Sequence, residues 1–198
     1  MISLYIVAHP RGQSHDSAVC SGCSNEHKIT AAVPFEASDT EIDNVAVKLK
    51  QIPKLCDGIQ NRVTVKFGLR EYGAGGIKSH HALTAEFAEF NVTLVLHIGV
   101  SHDGKVVAKI QQRAQVENVR NLGEIRTSAA MVVAHALACA ESFGSYSYVT
   151  NNCHHYCQHL GDSFGFAVYS FKSRGKEFNK DHVKEIHDKL AKQCKQYM

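Results

Sequence analysis

Val92-Thr93-Leu94-Val95-Leu96-His97-Ile98-Gly99-Val100 is the stretch on which the fold turns. Its β-branched and aliphatic side chains make it strongly strand-like. Asp103-Gly104 follows as a hairpin turn signal, and Lys105 to Ile110 returns as a second strand. Alternation groups His97 with Thr93, Val95 and Gly99 on one face. Gly99 leaves space there, so the imidazole can point into a cleft. By itself a strand histidine is more often structural than catalytic.

Upstream, Arg62 to Leu69 alternates Val63, Val65 and Phe67 against Arg62, Thr64 and Lys66, a half-buried strand. Tyr72-Gly73-Ala74-Gly75-Gly76 lacks the Gly-Lys-Ser/Thr of a phosphate cradle and reads as a turn. Residues 77–90 are expected to form a strand. His80-His81 within it read as a surface pair, with a catalytic or ligand role as the alternative. Residues 2–8 read as a first strand rather than a signal peptide, because no basic leader precedes them and His9-Pro10-Arg11 follows. Residues 9–30 are expected to be a polar loop. Ser38 to Leu55 carries Ile42, Val45, Leu49 and Ile52 at helical spacing, with Pro53 to end it.

Downstream, Thr127 to Phe143 is Ala-rich and apolar nearly all round, so it is expected to be a central helix. Ser145 to Thr150 is short and rich in β-branched and aromatic residues. Asn151-Asn152-Cys153-His154-His155-Tyr156 then opens a helical pattern in which Tyr156, Cys157 and Leu160 share a face, with Gly165 to stop it. A possible strand at Phe166–Phe171 and a surface helix near Lys180–Gln196, striped by Val183, Ile186, Leu190 and Cys194, close the chain.

Asn152 is a plausible N-cap, which places Cys153 in the first helical turn. Backbone N–H groups and the positive helix end stabilise a thiolate there, and the thiolate is the nucleophilic form. Cys153 is therefore a candidate nucleophile; the alternative is a buried packing cysteine. His155 reads as a packing or helix-surface residue. Cys20-Ser21-Gly22-Cys23 and His27, with His15 nearby, form a second constellation that can donate three ligands to a structural zinc.

Length and composition bound the rest. The chain's 198 residues fit a single domain, 1–198, with a substantial core, and 44% hydrophobic with 21% charged content is ordinary for a globular protein. A formal charge of +3 gives no nucleic-acid footprint. No run reaches the roughly 18 apolar residues of a membrane-spanning helix. Seven Cys, an odd number, do not suggest a disulfide framework, so a cytoplasmic setting is expected.

Two stretches together resemble circularly permuted papain-like thiol enzymes. His97-Ile98-Gly99-Val100 with Asp103-Gly104-Lys105-Val106-Val107 is similar to their H-x-G-I/V strand, D-G turn and V-V strand. Asn152-Cys153-His154-His155-Tyr156 is similar to their N-C-x-H-F/Y helix start. The families are the lecithin:retinol acyltransferase and phospholipase/acyltransferase group, and the PPPDE-type peptidases, in both of which His precedes Cys in the chain. The resemblance covers about residues 92–165; residues 1–90 form an N-terminal extension with no assigned role. It implies an α+β fold with an antiparallel sheet packed against helices, Cys153 as nucleophile and His97 as base. The substrate would be a protein, peptide or lipid acyl group, attacked at an amide, peptide or ester carbonyl. The acyltransferase group has Glu where this chain has His154, which tilts the expectation toward a peptidase or isopeptidase. Lipid acyl transfer on the same fold is the alternative. No cofactor and no catalytic metal are expected. A non-catalytic module stabilised by zinc at Cys20, Cys23, His27 and one further ligand is the rival of another class.

Overall fold

Val63, Val65, Phe67 and Leu69 alternate with Thr64, Lys66 and Gly68 along the first strand, and the alternation decides which way the sheet faces. The structure, a computed structural model, describes residues 60–73, 79–100, 106–143, 146–147, 151–171 and 179–195. Five strands follow one another: β1 (Val63–Tyr72), β2 (His80–Phe87), β3 (Val92–Val100), β4 (Val106–Arg113) and β5 (Val119–Thr127). Three helices complete the order: α1 (Ala129–Phe143), α2 (Cys153–Phe164) and α3 (Lys180–Lys195). The strands form one antiparallel sheet in the order β4-β3-β2-β1-β5. The protein is thus α+β, with its helices after the strands rather than between them.

Register fixes a single apolar face. Ala85 lies opposite Phe67 on β1 and Leu94 on β3, and Leu83 lies opposite Leu69 and Leu96. Leu96 in turn faces Ile110, and Ile98 faces Ala108. These side chains join Val132, Val133, Leu137, Tyr156 and Leu160 of the helices in one buried cluster. A one-residue slip in any strand would turn its apolar set away from the helices. Phe67 meets Phe164 of α2 at 4.7 Å between ring centroids, and the Tyr156 hydroxyl donates to the Ala136 carbonyl of α1 at 3.0 Å. α3 lays Val183, Ile186, Leu190 and Cys194 into the same core, and its His182 meets Glu141 of α1.

Several sequence expectations hold with small shifts at the ends, those for β1, β3, β4, α1, α2 and α3 among them. Of the strand expected at 77–90, residues 80–90 resolve into β2 and a 3-10 turn, Ala88–Phe90. His80 and His81 are no surface pair: they are 5% and 8% exposed, because β2 is a central strand with neighbours on both sides. Phe166–Phe171 is not a strand. Its polar backbone groups are met by side chains instead, the Val168 carbonyl by Arg120 and the Tyr169 N–H by Gln158 Oε1 at 2.6 Å. Val168 also packs over Gly161 of α2, where an added Cβ would lie 2.2 Å from Val168 Cγ2. β5 was not foreseen, since it is an edge strand with Thr127 its one fully buried residue. The expectations for residues 2–8, 9–30 (with Cys20, Cys23 and His27) and 38–55 lie outside the described residues. So do Ala74-Gly75-Gly76 and the Asp103-Gly104 turn. Among the described residues no helix is long and apolar enough to cross a membrane.

Candidate active site

Asn152 decides where α2 begins. Its backbone is extended (φ −124°, ψ −169°), and its Oδ1 accepts from the His154 N–H at 3.0 Å. The His155 ring folds back so that Nδ1 lies 3.4 Å from the Asn152 N–H, closing a reciprocal cap. Cys153 is therefore the first helical residue. Its Sγ lies 4.0 Å from the carbonyl oxygen of Ser79, immediately before β2, and the residue is only 4% exposed.

The start of β2 brings two imidazoles to this point, pointed in opposite directions by the pleat. His81 lies on the helix side, its ring centroid 4.0 Å from that of His154. Its Nε2 meets Ser79 Oγ at 2.8 Å and its Nδ1 meets the Tyr169 hydroxyl. His80 turns the other way, and its Nε2 lies 2.8 Å from His97 Nδ1 on β3. Both rings of that pair are buried. On β3 the residues that enter the core cluster are Val92, Leu94, Leu96 and Ile98, so His97 stands on the reverse face. It reaches the thiol's neighbourhood through His80.

His154 completes the ring of imidazoles. Its Nε2 lies 3.0 Å from the Ser79 carbonyl. A carbonyl only accepts, so Nε2 carries the proton in either charge state and Nδ1 is the nitrogen left to change. Tyr169 stacks beside His154 at 5.8 Å and on Phe171 at 5.0 Å, and Phe171 in turn meets His155 at 4.9 Å. An aromatic row thus runs outward from the thiol to Phe171, which is 38% exposed.

Electrostatics separate these groups. Burial would raise the Cys153 thiol. Hydrogen bonds from His154 and then His80, the charge on His80 and the His81 backbone N–H outweigh it, and the thiol falls from 9.0 to about 6. That fall corresponds to about 4 kcal/mol in favour of the thiolate. A helix end supplies ~0.3–1 kcal/mol, at most about 2, so the imidazoles carry most of it. His154 moves up in response, chiefly through its hydrogen bond to Cys153. His81 goes down to about 4, by burial and by the neighbouring His154 charge, and stays neutral at pH 7. Burial likewise pushes the Tyr169 hydroxyl well up, so it serves as a neutral partner.

The arrangement can hold a thiolate beside an imidazolium in a largely buried site. Of the residues singled out from sequence, Cys153 sits at its centre and His97 one hydrogen bond behind His80. Sequence reasoning gave no catalytic weight to His154. Its position directly after a helix-opening Cys was the available signal. Among the described residues no group of three or more His, Cys, Asp or Glu side chains is arranged to hold a metal ion. No protein-family model, curated protein or solved structure matches the chain.

Proposed function

We propose that the protein is a thiol hydrolase with a permuted papain-like arrangement, acting on an amide or peptide carbonyl. The observation that carries this reading is the Cys153 thiol, held at about 6 at a helix start by two imidazoles. In the resting state Cys153 is a thiolate and the imidazoles share its proton. The thiolate attacks the substrate carbonyl, and a C–S bond forms as the C=O π pair moves onto oxygen. The backbone N–H of Cys153, at the positive end of α2, is the donor we assign to that oxyanion. Collapse expels the amine, which takes its proton from an imidazolium. Water, deprotonated by the same imidazole, then releases the acid and restores the thiol.

We assign the proton transfer to His80, in place of the His97 expected from sequence. His80 is the strand imidazole that hydrogen-bonds Cys153, and His97 is its partner at 2.8 Å. As an imidazolium, His80 donates Nε2–H to His97 Nδ1. His97 is thereby a positioning residue that fixes the His80 tautomer. His154 holds the thiolate from the helix side.

The amide preference rests on the sequence resemblance, in which His154 stands where acyltransferases of this kind carry Glu. Transfer of a lipid acyl group to an acceptor other than water is the second reading; the apolar row ending at the exposed Phe171 favours it. One experiment tests both. Incubation with a panel of peptide and lipid-ester activated substrates, quenched in acid, should give a Cys153 mass adduct whose acyl group names the class. Absence of any adduct at Cys153, with the thiol still titrating normally near 8.5, would end the thiol-enzyme reading.

A further inference from the structure

The connection from β4 to β5, residues 114–118, joins opposite edges of the sheet. Four strand spacings of about 4.8 Å separate those edges, roughly 19 Å in all. Six residue steps from Arg113 to Val119 reach at most about 20–22 Å. The connection has almost no slack and must cross the reverse face of the sheet nearly straight. Between it and the strands lies a cavity of about 490 Å³, lined by residues of β1, β2, β3, β5 and the connection itself. That volume falls within the range of small-molecule sites, roughly 300–1,000 Å³. The cavity is distinct from the thiol site, whose nearest strand residue, His80, does not line it.

Its floor is polar in a specific way. Thr84 and Thr93 are 3% and 4% exposed, and both line it. Lys66 and Glu86 stand directly opposite each other in the β1–β2 register, and both line the cavity. Lys66 has Glu124 across from it on β5 as well, yet makes an ion pair with neither carboxylate. Opposed Cα atoms in such a pair are about 4.5–5.5 Å apart, a spacing over which one cation and one anion can both reach a single small molecule. Val116 and Val119 give the cavity an aliphatic wall.

We infer that this cavity is a binding site for a free α-amino acid with an aliphatic side chain. Lys66 takes its carboxylate, Glu86 its ammonium group, the Thr84 and Thr93 hydroxyls the remaining polar valences, and Val116 and Val119 its side chain. A neutral polyol would leave both charges unanswered, and a simple anion would meet Glu86. A zwitterion with an apolar tail answers both charges and the aliphatic wall together. The inference stands on the reverse face of the sheet and does not depend on Cys153.

Calorimetric titration of the full chain with L-leucine tests it, alongside N-acetyl-leucine and leucinamide, which each lack one charge. Saturable leucine binding is expected, with each blocked analogue weaker by about tenfold or more, the loss of one charge-assisted hydrogen bond. Lys66→Gln should erase the preference for leucine over leucinamide, and Glu86→Gln the preference over N-acetyl-leucine. Both positions are solvent-facing, and an unchanged circular dichroism spectrum confirms folding. Cys153→Ser should bind leucine as the unaltered chain does. No saturable binding of leucine, or binding that ignores both charge substitutions in folded protein, would overturn the site. So would binding of the blocked analogues as tight as that of leucine.

Discussion

Cys153 and Cys157 occupy the same helix, one turn apart, and both are almost fully buried. Their thiols move in opposite directions. Cys157 is pushed well above its ordinary value, first by burial and then by the negative charge of Cys153. Cys153 comes down to about 6 although burial opposes it there too. Residue type, helix and exposure are matched, so the difference lies in what stands opposite each sulfur. Cys153 meets His154, His80 and the His81 backbone N–H, whereas Cys157 meets the Leu83 backbone N–H and otherwise core side chains, with no imidazole among the described residues opposite it. A helix start makes a reactive cysteine only when polar hydrogen-bond donors replace the water that burial removes.

The largest effect should come from deleting the reactive member of the pair. Cys153→Ser is expected to abolish modification by a limiting iodoacetamide or acyl probe, and with it any turnover, while the circular dichroism spectrum stays unchanged. Peptide mass mapping decides it; first modification at Cys157 or Cys139 would erase the contrast. Labelling of Cys153 in the unaltered chain should rise with pH through a midpoint near 6. An ordinary thiol would rise through about 8.5.

Stability should follow the same ionisation. The Cys153 pKa is depressed in the folded state, so its contribution is complete above the unfolded thiol value and is lost as pH falls through about 6. His154 is raised, so its contribution is complete below the unfolded imidazole value and is lost as pH climbs through its folded pKa. The thiolate–imidazolium pair therefore exists in a window above about 6, closed on the alkaline side by His154. Urea unfolding of the Cys153→Ser variant should show a flatter pH dependence than the unaltered chain between pH 6 and 9. Parallel curves would mean that the pair does not form.

Removing the donors tests what lowers the thiol. His154→Gln and His80→Gln should each move the labelling midpoint upward by about one pH unit or more, the scale of a single charge-assisted hydrogen bond. If His154→Gln moves the midpoint and His80→Gln leaves it, the helix imidazole alone holds the thiolate, and the strand histidine is not the base.

Much of this contrast was legible in the chain. Asn152 before Cys153, and Tyr156, Cys157 and Leu160 at helical spacing, reveal both the cap and the buried face. The β-branched run at 92–100 and the alternation at 62–69 reveal central strands, because a strand with one buried face must alternate. β5 was hidden by its position at the sheet edge. Asn121, Glu124 and Arg126 remain in solvent, so no apolar period is imposed on them. The segment 166–171 misled for the opposite reason, since its Phe166, Val168 and Phe171 pack as isolated contacts while side chains satisfy the backbone. The base we propose was not legible in the chain, because neighbouring His80 and His81 look alike in sequence. Only the register of β2 against β3 pairs one with His97 and the other with Tyr169.

A smaller effect is expected from the unreactive member. Cys157→Ala removes a buried sulfur beneath Leu83 and should cost about 1 kcal/mol through the small cavity left behind. Urea unfolding measures it. The Cys153 labelling midpoint should barely move, apart from a slight fall if Cys157 carries any charge. A shift as large as that of His80→Gln would show that the two sulfurs titrate together and are not separable sites.

The finest discrimination should come from His97→Gln. His97 stands on the reverse face of β3, and its route to the thiol runs through the 2.8 Å contact with His80. A glutamine amide can still accept from His80 Nε2–H, so the ring keeps its orientation and tautomer. The labelling midpoint at Cys153 should then move by less than half of what His80→Gln causes, while turnover falls more than substrate affinity. His97→Leu leaves His80 Nε2 facing an apolar group and should lower turnover further. It should also depress the His80 pKa, which a nitrogen-labelled imidazole titration reads directly. If instead His97→Gln moves the midpoint as far as His80→Gln does, His97 acts on the sulfur itself, and the proton belongs to the strand assigned from sequence rather than to β2.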